Sequence, residues 1–358
     1  MALSAPATRP ATPYLRVDLV RLRGNILRVA EHAATRGVAL RPHVKTHKSM
    51  DIARLQLATG AVGITVATLG EAETFVRLGV QDVFVAYPLW LEESTAARLR
   101  DLTGDARVAI GVDSVAGAAR AGRLLGGTAV EVLVEVDSGH HRTGAAPEEA
   151  GTVGQAARRS GLTVRGVFTF PGHSYAPEAT RSAAADEAAA LATAAASMRA
   201  TGMEPGVVSG GSTPSLEHTD TDVVTELRPG VYVFGDAQQW ELGTTTPERI
   251  ALACRATVIS HTGGRLVLDA GSKVLGADRA AYATGFGRLP AYPDARVVLL
   301  SEHHAVVDLA GAPLPELGSR VDVVPNHVCA AVNLVDDLYV EEAGQLRPWP
   351  VTARGLNS

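Results

Sequence analysis

Three short stretches of this chain combine residue types that can do chemistry. In Arg41-Pro-His-Val-Lys-Thr-His-Lys48, Lys45 stands two residues from His43 and two from His47, so on an extended chain all three share a side. A lysine desolvated near other cations has a lowered pKa, and its neutral amine can form an imine with a carbonyl cofactor. The same residues could also form a solvated basic loop or a simple phosphate contact. In Ser209-Gly-Gly-Ser-Thr213 the glycines let backbone N–H groups approach an anion, and Ser212 and Thr213 add hydroxyl donors. Alone, a glycine pair is an ordinary turn. A phosphate cradle and an imine-forming lysine on one rim together point to pyridoxal phosphate. In Pro325-Asn-His-Val-Cys329, the i, i+2 spacing on an extended chain turns His327 and Cys329 to one face, and imidazole with thiolate suits zinc. A buried structural cysteine beside a capping histidine is the bland alternative.

Such stretches need a scaffold that brings them together. From about residue 14 to 235, short β-branched runs alternate with segments of helical periodicity, the pattern of parallel βα units. The runs are Val38 to Val44, Gly63 to Ala67, Asp82 to Ala86, Arg107 to Val112, Glu131 to Val136, Val164 to Phe170, Gly206 to Val208 and Val223 to Leu227. Their number and span predict a closed, TIM-like (β/α)8 barrel, with an open α/β sheet as the other solution. Chemistry in a barrel sits at the C-terminal strand ends, and the residues at the ends of these runs are polar. In order they are His43, Lys45 and His47; Thr68; Tyr87; Asp113; Asp137 to Arg142; His173 and Tyr175; Ser209 to Thr213; and Arg228 to Tyr232.

After Gly235 the runs Ala251 to Ser260, Arg265 to Leu268, Arg296 to Leu300, Val306 to Leu309 and Arg320 to Val324 are separated by turns, which predicts a C-terminal antiparallel β domain. His261-Thr-Gly-Gly264 reads as a hairpin turn within it. The expected organisation is disorder over 1–13, the barrel over 14–245, and a β domain carrying the metal pair over 246–358.

Composition narrows the function classes. With 46% hydrophobic and 20% charged residues the chain is an ordinary globular protein, and a net charge of -5 argues against a nucleic-acid surface. The local basic cluster Arg41 to Lys48 therefore calls for a site of its own. The two cysteines, Cys254 and Cys329, are too few for a disulfide framework. The first residues show no basic start followed by an apolar run, so a cytoplasmic location is expected. Arg181 to Ala200 is interrupted by Asp186, Glu187 and Arg199, which reads as a soluble helix and not as a membrane span.

The chain resembles the D-serine dehydratase and D-threonine aldolase family, pyridoxal phosphate enzymes of fold type III related through their barrel to alanine racemase. Arg41 to Lys48 is similar to that family's cofactor-lysine motif, and Asp137-Ser-Gly-His-His-Arg-Thr-Gly144 to its arginine loop. Gly172-His-Ser-Tyr175, Ser209 to Pro214, Arg228-Pro-Gly-Val-Tyr-Val-Phe-Gly-Asp236 and Asp269-Ala-Gly-Ser-Lys273 match as well. The resemblance runs from about residue 14 to 340. It implies that Lys45 holds the cofactor, that Arg142 hydrogen-bonds near its phenolic oxygen, that Gly211, Ser212, Thr213 and Tyr232 lie near its phosphate, and that Tyr175 lines the pocket. It also implies that His327 and Cys329 hold a metal, zinc in view of the soft thiolate, with Mn²⁺ or another divalent ion as the alternative. Taken alone, Arg142 could be a surface ion-pair residue and Tyr232 core packing.

The resemblance implies a lyase acting on a D-β-hydroxy amino acid, with a homodimer as the assembly. Its dehydratases tend to carry Cys at position 329 and its aldolases Asp, which tilts the expectation toward elimination to a 2-oxo acid and ammonia. Retro-aldol cleavage to glycine and an aldehyde is the alternative. Ala330-Ala331 replaces a frequent Pro-Thr pair, and Ser301-Glu-His-His-Ala305 replaces the usual Glu-Glu-His-Gly, so the substrate side chain is open. His304 is a candidate pocket residue or an interfacial histidine. A non-catalytic carrier of pyridoxal phosphate is disfavoured by the extra β domain, and a racemase lacks an identifiable second base.

Overall fold

The computed structural model describes residues 10–358, which divide into two compact units. The first comprises Arg28–Lys45, Ala53–Gly230 and Leu356–Ser358; the second comprises the chain up to Leu27, Thr46–Ile52 and Val231–Gly355. Of the stretch expected to be disordered, 1–9 lie outside the described residues, while the Thr12 hydroxyl donates to Asp269 Oδ2 at 2.5 Å.

In the first unit every β-branched run becomes a parallel strand. The eight-stranded order is Ala39–Leu40, Glu226–Leu227, Val207–Gly210, Thr163–Phe168, Glu131–Glu135, Arg107–Val112, Asp82–Pro88 and Ile64–Val66. The sheet curls until its ends meet: the Thr65 N–H donates to Pro42 O at 2.8 Å, and His43 pairs with Thr65 in parallel. This is the barrel that the alternation predicts. Helix starts account for some of the polar strand ends. Thr68 Oγ1 accepts the Glu71 N–H at 3.1 Å and Glu71 Oε2 accepts the Ala67 N–H at 2.7 Å, which starts the helix Leu69–Arg77. Ser114 caps Val115–Leu125 in the same way, through the Gly117 N–H at 3.1 Å.

The barrel interior is charged as well as apolar. Phe84 and Phe168 meet edge to face at 4.9 Å and pack with Ala109 and Leu133. Arg41, only 1% exposed, donates Nε to Glu226 Oε2 at 2.8 Å and its terminal nitrogens to Asp82 Oδ1 and Oδ2 at 2.6 and 3.2 Å. The basic cluster that called for a site is thus partly structural, because Arg41 finds its counter-charges 41 and 185 residues away. Removing one member of a buried ion pair leaves uncompensated charge and costs about 3–5 kcal/mol. Arg41→Met is expected to lower the unfolding free energy by about that amount in a denaturant titration; an unchanged midpoint would contradict the buried-pair account.

The second unit is built on a nine-stranded sheet, ordered Arg296–Leu300, Ala305–Asp308, Leu266–Leu268, Leu252–Ser260, Tyr14–Asp18, Asp337–Glu342 and Gln345–Pro350 along its main path. Arg320–Pro325 also pairs with Leu252–Ser260, and Gly287–Arg288 pairs with Arg320–Pro325. Every pairing is antiparallel except that of Tyr14–Asp18 with Asp337–Glu342. The expected hairpin turn is present, with Gly263 and Gly264 at φ 67° and 73°, a region that glycine enters freely. Among the described residues no helix is long and apolar enough to cross a membrane.

Candidate active site

Lys45 lies in a single 3-10 turn, Val44–Thr46, soon after the barrel strand Ala39–Leu40. The chain is therefore not extended here, and the expected placement of His43, Lys45 and His47 on one side does not hold. The reason is local: the His43 N–H still reaches Pro229 O at 3.0 Å, and beyond it the backbone leaves the ladder. His43 and Lys45 remain electrostatic neighbours. Burial pushes the His43 imidazole well below its ordinary pKa, and the charges of Lys45, Arg228 and Arg142 push it further. His47 is buried, and its Nδ1 accepts the Ser49 N–H at 3.1 Å.

The arginine loop is shaped from within. Asp137 Oδ1 accepts the N–H groups of Gly139 at 2.9 Å and His141 at 3.0 Å; against burial, which raises it, these bonds hold the Asp137 carboxyl below its usual range. Gly144, at φ 110°, brings the chain back so closely that a Cβ would stand 2.5 Å from the Asp137 nitrogen. Arg142 emerges exposed, its guanidinium 5.3 Å from the Phe170 ring centre. Phe170 is flanked by His140 at 5.6 Å and Tyr175 at 6.2 Å. Nothing in the sequence singles out Phe170, because an aromatic at the end of a strand run reads as barrel packing, whereas His140 belongs to the arginine-loop motif without a role of its own.

The loop after Val207–Gly210 carries a buried hydroxyl network. Ser212 Oγ lies 2.8 Å from Ser174 Oγ and 2.8 Å from Ser215 Oγ, and the preceding Gly211 adopts φ 83°. Arg228 stands beside it, wholly inside the barrel, donating Nε to Ser209 Oγ at 2.8 Å and Nη2 to Thr169 O, with its guanidinium 5.2 Å from the Phe168 ring. Burial lowers its pKa, opposed by Glu226, Glu187 and Glu135. A left-handed glycine, buried hydroxyls and the cations Lys45, Arg142 and Arg228 suit a phosphate-bearing aldehyde. Tyr232 is buried in the turn Val231–Val233 of the second unit.

In the sequence Glu187 reads only as a charge interrupting a helix, and the structure buries it completely. Burial raises its pKa from 4.5 to about 7, despite the Gly211 N–H and Arg228. Between those values the unfolded chain binds fewer protons than the folded one. This contribution to stability is full below pH 4.5 and is lost as pH rises through about 7. Glu187→Gln cannot ionise, so the melting temperature of the variant relative to the parent is expected to climb from pH 4 to about 8; parallel curves would refute the buried acid.

The second group of candidate residues belongs to the second unit. The strand Arg320–Pro325 ends one residue before Asn326, and His327 is the N-cap of the short helix Val328–Val332. The pair is therefore not on an extended chain as expected, since Cys329 already lies in the helix. The turn is fixed by Asp236, whose Oδ2 accepts the Val328 N–H at 3.2 Å while Oδ1 accepts the Gln239 N–H at 2.9 Å. The His327 and Cys329 side chains still meet. Their hydrogen bond and the negative charge on the sulfur raise the imidazole pKa to about 9, the sulfur's charge being the largest cause, with Asp236 and Asp278 adding to it. His327 Nδ1 lies 3.2 Å from Asp278 Oδ2, and Cys329 Sγ contacts Thr46 Oγ1 at 3.4 Å. Imidazole and thiolate in contact form a donor pair that fits a zinc-type ion. Among the described residues no group of three or more His, Cys, Asp or Glu side chains converges. Cys254 is buried and unbonded to sulfur.

Residues 17–238 match the model of the alanine racemase N-terminal domain, and residues 251–341 that of a putative serine dehydratase domain. The chain belongs to the alanine racemase-like, fold type III family of pyridoxal phosphate enzymes. Within that family it is similar to lyases. It is 36% identical to the D-threo-3-hydroxyaspartate dehydratase of Delftia sp. (strain HT23), over 89% of this chain and 91% of that one. It is 32% identical to the D-threonine aldolase of Arthrobacter sp., over 98% of this chain and 95% of that one. A solved structure of D-threo-3-hydroxyaspartate dehydratase, a cysteine-to-alanine mutant in the metal-free form, matches with a TM-score of 0.87 and 33% identity, covering 96% of this chain and 97% of that one. The expected family, fold and class of reaction are thereby met: the chain is a pyridoxal phosphate-dependent lyase of this family.

Proposed function

We propose that this lyase is a pyridoxal phosphate- and zinc-dependent ammonia-lyase of a D-β-hydroxy amino acid, releasing a 2-oxo acid and ammonia. The observation that carries the choice is the contact of Cys329 with His327, a soft donor pair suited to an ion that takes a hydroxyl as leaving group. When bound, pyridoxal phosphate supplies an electron sink for the α-carbon and a divalent cation supplies a Lewis acid for the β-hydroxyl. Lys45 would hold the cofactor through its ε-amine, and its Nζ would take the α-proton. His43, lowered in pKa beside it, stays neutral and adds no charge to compete. Arg142, stacked on Phe170, would donate toward the phenolic oxygen, Ser212, Thr213 and Tyr232 would hold the phosphate beside the turn at Gly211, and Tyr175 would line the pocket. His327 and Cys329 would hold the metal, and Asp278, 3.2 Å from Nδ1, would orient the imidazole.

A second reading, retro-aldol cleavage to glycine and an aldehyde, is favoured by the aldolase relative, whose match spans 98% of this chain. The purified enzyme should be given D- and L-serine, D-threonine and D-threo-3-hydroxyaspartate, with keto acid, ammonia, glycine and aldehyde measured on each. The proposal expects keto acid and ammonia in equal amounts from D-substrates, pyruvate in the case of D-serine; glycine with an aldehyde as the main products would transfer the assignment to the aldolase. In the same reading the enzyme is a cytoplasmic homodimer, which sedimentation at micromolar concentration checks.

A further inference from the structure

We infer that Glu187 is a positioning residue for the phosphate loop, holding the Gly211 N–H from behind so that Ser212 and Thr213 face the phosphate. The inference rests on the proposed role of residues 211–213. The helix Thr180–Ala200 buries a face of small and apolar residues, including Ala183, Ala190, Leu191 and Ala194, and Glu187 is the one ionisable residue among those it buries. Burying a carboxyl there is costly unless it is bonded. Its Oε1 accepts the Gly211 N–H at 2.6 Å. A Cβ on Gly210 would stand 2.4 Å from the same oxygen, so the carboxyl fills the space where a side chain at 210 would be.

Gly211 at φ 83° has no ladder partner to hold that backbone orientation, and its N–H is taken by the carboxyl instead of by solvent or ligand. The hydroxyls of Ser174, Ser212 and Ser215 bond among themselves. Among the described residues Oε2 has no hydrogen-bond partner. A proton on the carboxyl removes the charge that would otherwise repel a nearby phosphate, and the raised pKa, which burial causes against the opposing Gly211 N–H and Arg228, agrees with that.

The test compares uptake of pyridoxal phosphate with uptake of pyridoxal, which lacks the phosphate, by absorbance titration of parent, Glu187→Ala and Glu187→Gln. Glu187→Ala is expected to weaken pyridoxal phosphate by about tenfold and leave pyridoxal within about twofold. Glu187→Gln, whose amide oxygen can still accept the Gly211 N–H, should stay within about twofold for both. If Glu187→Ala does not fold, Gly210→Ala, which intrudes on Oε1, should give the same phosphate-specific loss. Equal loss of both ligands, no loss of either, or a glutamine variant as weak as the alanine one would overturn the inference. Hydrogen exchange of the Gly211 amide in the cofactor-free protein separates the two levels: it is expected to be slow in parent and Glu187→Gln and fast in Glu187→Ala. A parent that takes up no pyridoxal phosphate defeats the proposed function, whereas fast Gly211 exchange in the parent defeats the role of Glu187.

Discussion

Lys45→Ala is expected to leave the protein without the visible absorption of bound pyridoxal phosphate, without a borohydride-trapped adduct at that position, and with turnover reduced by about 10⁴-fold or more. Two losses combine in that figure. In the proposed reading the variant lacks both the amine that would hold the cofactor and the amine that would take the α-proton, a role worth about 10²–10⁴ on its own. The structure makes this lysine a better candidate than Lys48, the other amine of the motif. Lys48 Nζ donates to Asn333 Oδ1 at 2.8 Å and its carbonyl accepts the Ala353 N–H at 3.0 Å, so it is tied into the second unit. Lys45 instead shares the first unit with His43, Arg142 and Arg228 and raises the cost of a proton on His43. Adding an amine such as methylamine to the alanine variant should restore part of the rate. A variant that keeps its colour and its adduct would remove the cofactor from this position altogether.

Cys329→Ala, or exhaustive chelation of the parent, is expected to reduce turnover of a β-hydroxy substrate by about 10³-fold while leaving the visible absorption of the bound cofactor in place. The size reflects the several kcal/mol that a Lewis acid contributes at a leaving hydroxyl. The two readouts are expected to separate because in the proposed reading Lys45, and not the pair His327 and Cys329, carries the covalent link to the cofactor. Elemental analysis should find about one zinc per chain in the parent and a marked loss in the variant. Cys329→Asp replaces a soft donor with a hard one and should shift the preference toward Mn²⁺. Full activity after chelation, with the metal shown to be absent, would sink the metal's part in the reaction.

How far the chain can be read before its fold is known depends on the range of each interaction. The eight barrel strands are legible because each is a buried β-branched run bounded by its own turns, and Arg107–Val112 and Arg296–Leu300 appear with the ends expected. Tyr14–Asp18, Asp337–Glu342 and Gln345–Pro350 are strands that the sequence does not announce. Their partners lie far along the chain or at an edge, as Tyr14 opposite Arg255 and Asp337 opposite Pro350 do, and short segments bearing prolines and charges carry little periodicity of their own.

The same division holds for the chemistry. Residue type and spacing by themselves determined which groups to watch: an amine between two imidazoles, glycines before hydroxyls, and an imidazole two residues from a thiol. Only the tertiary structure decided what surrounds them. It put Lys45 in a turn and Cys329 in a helix where extended chain was expected, assigned Arg41 to a buried ion pair, and brought Glu187 against Gly211 from a helix whose buried face is otherwise apolar. Local spacing is written in covalent geometry, whereas burial and counter-charge come from segments remote in sequence, and these set whether a side chain is a ligand, an acid or part of the core.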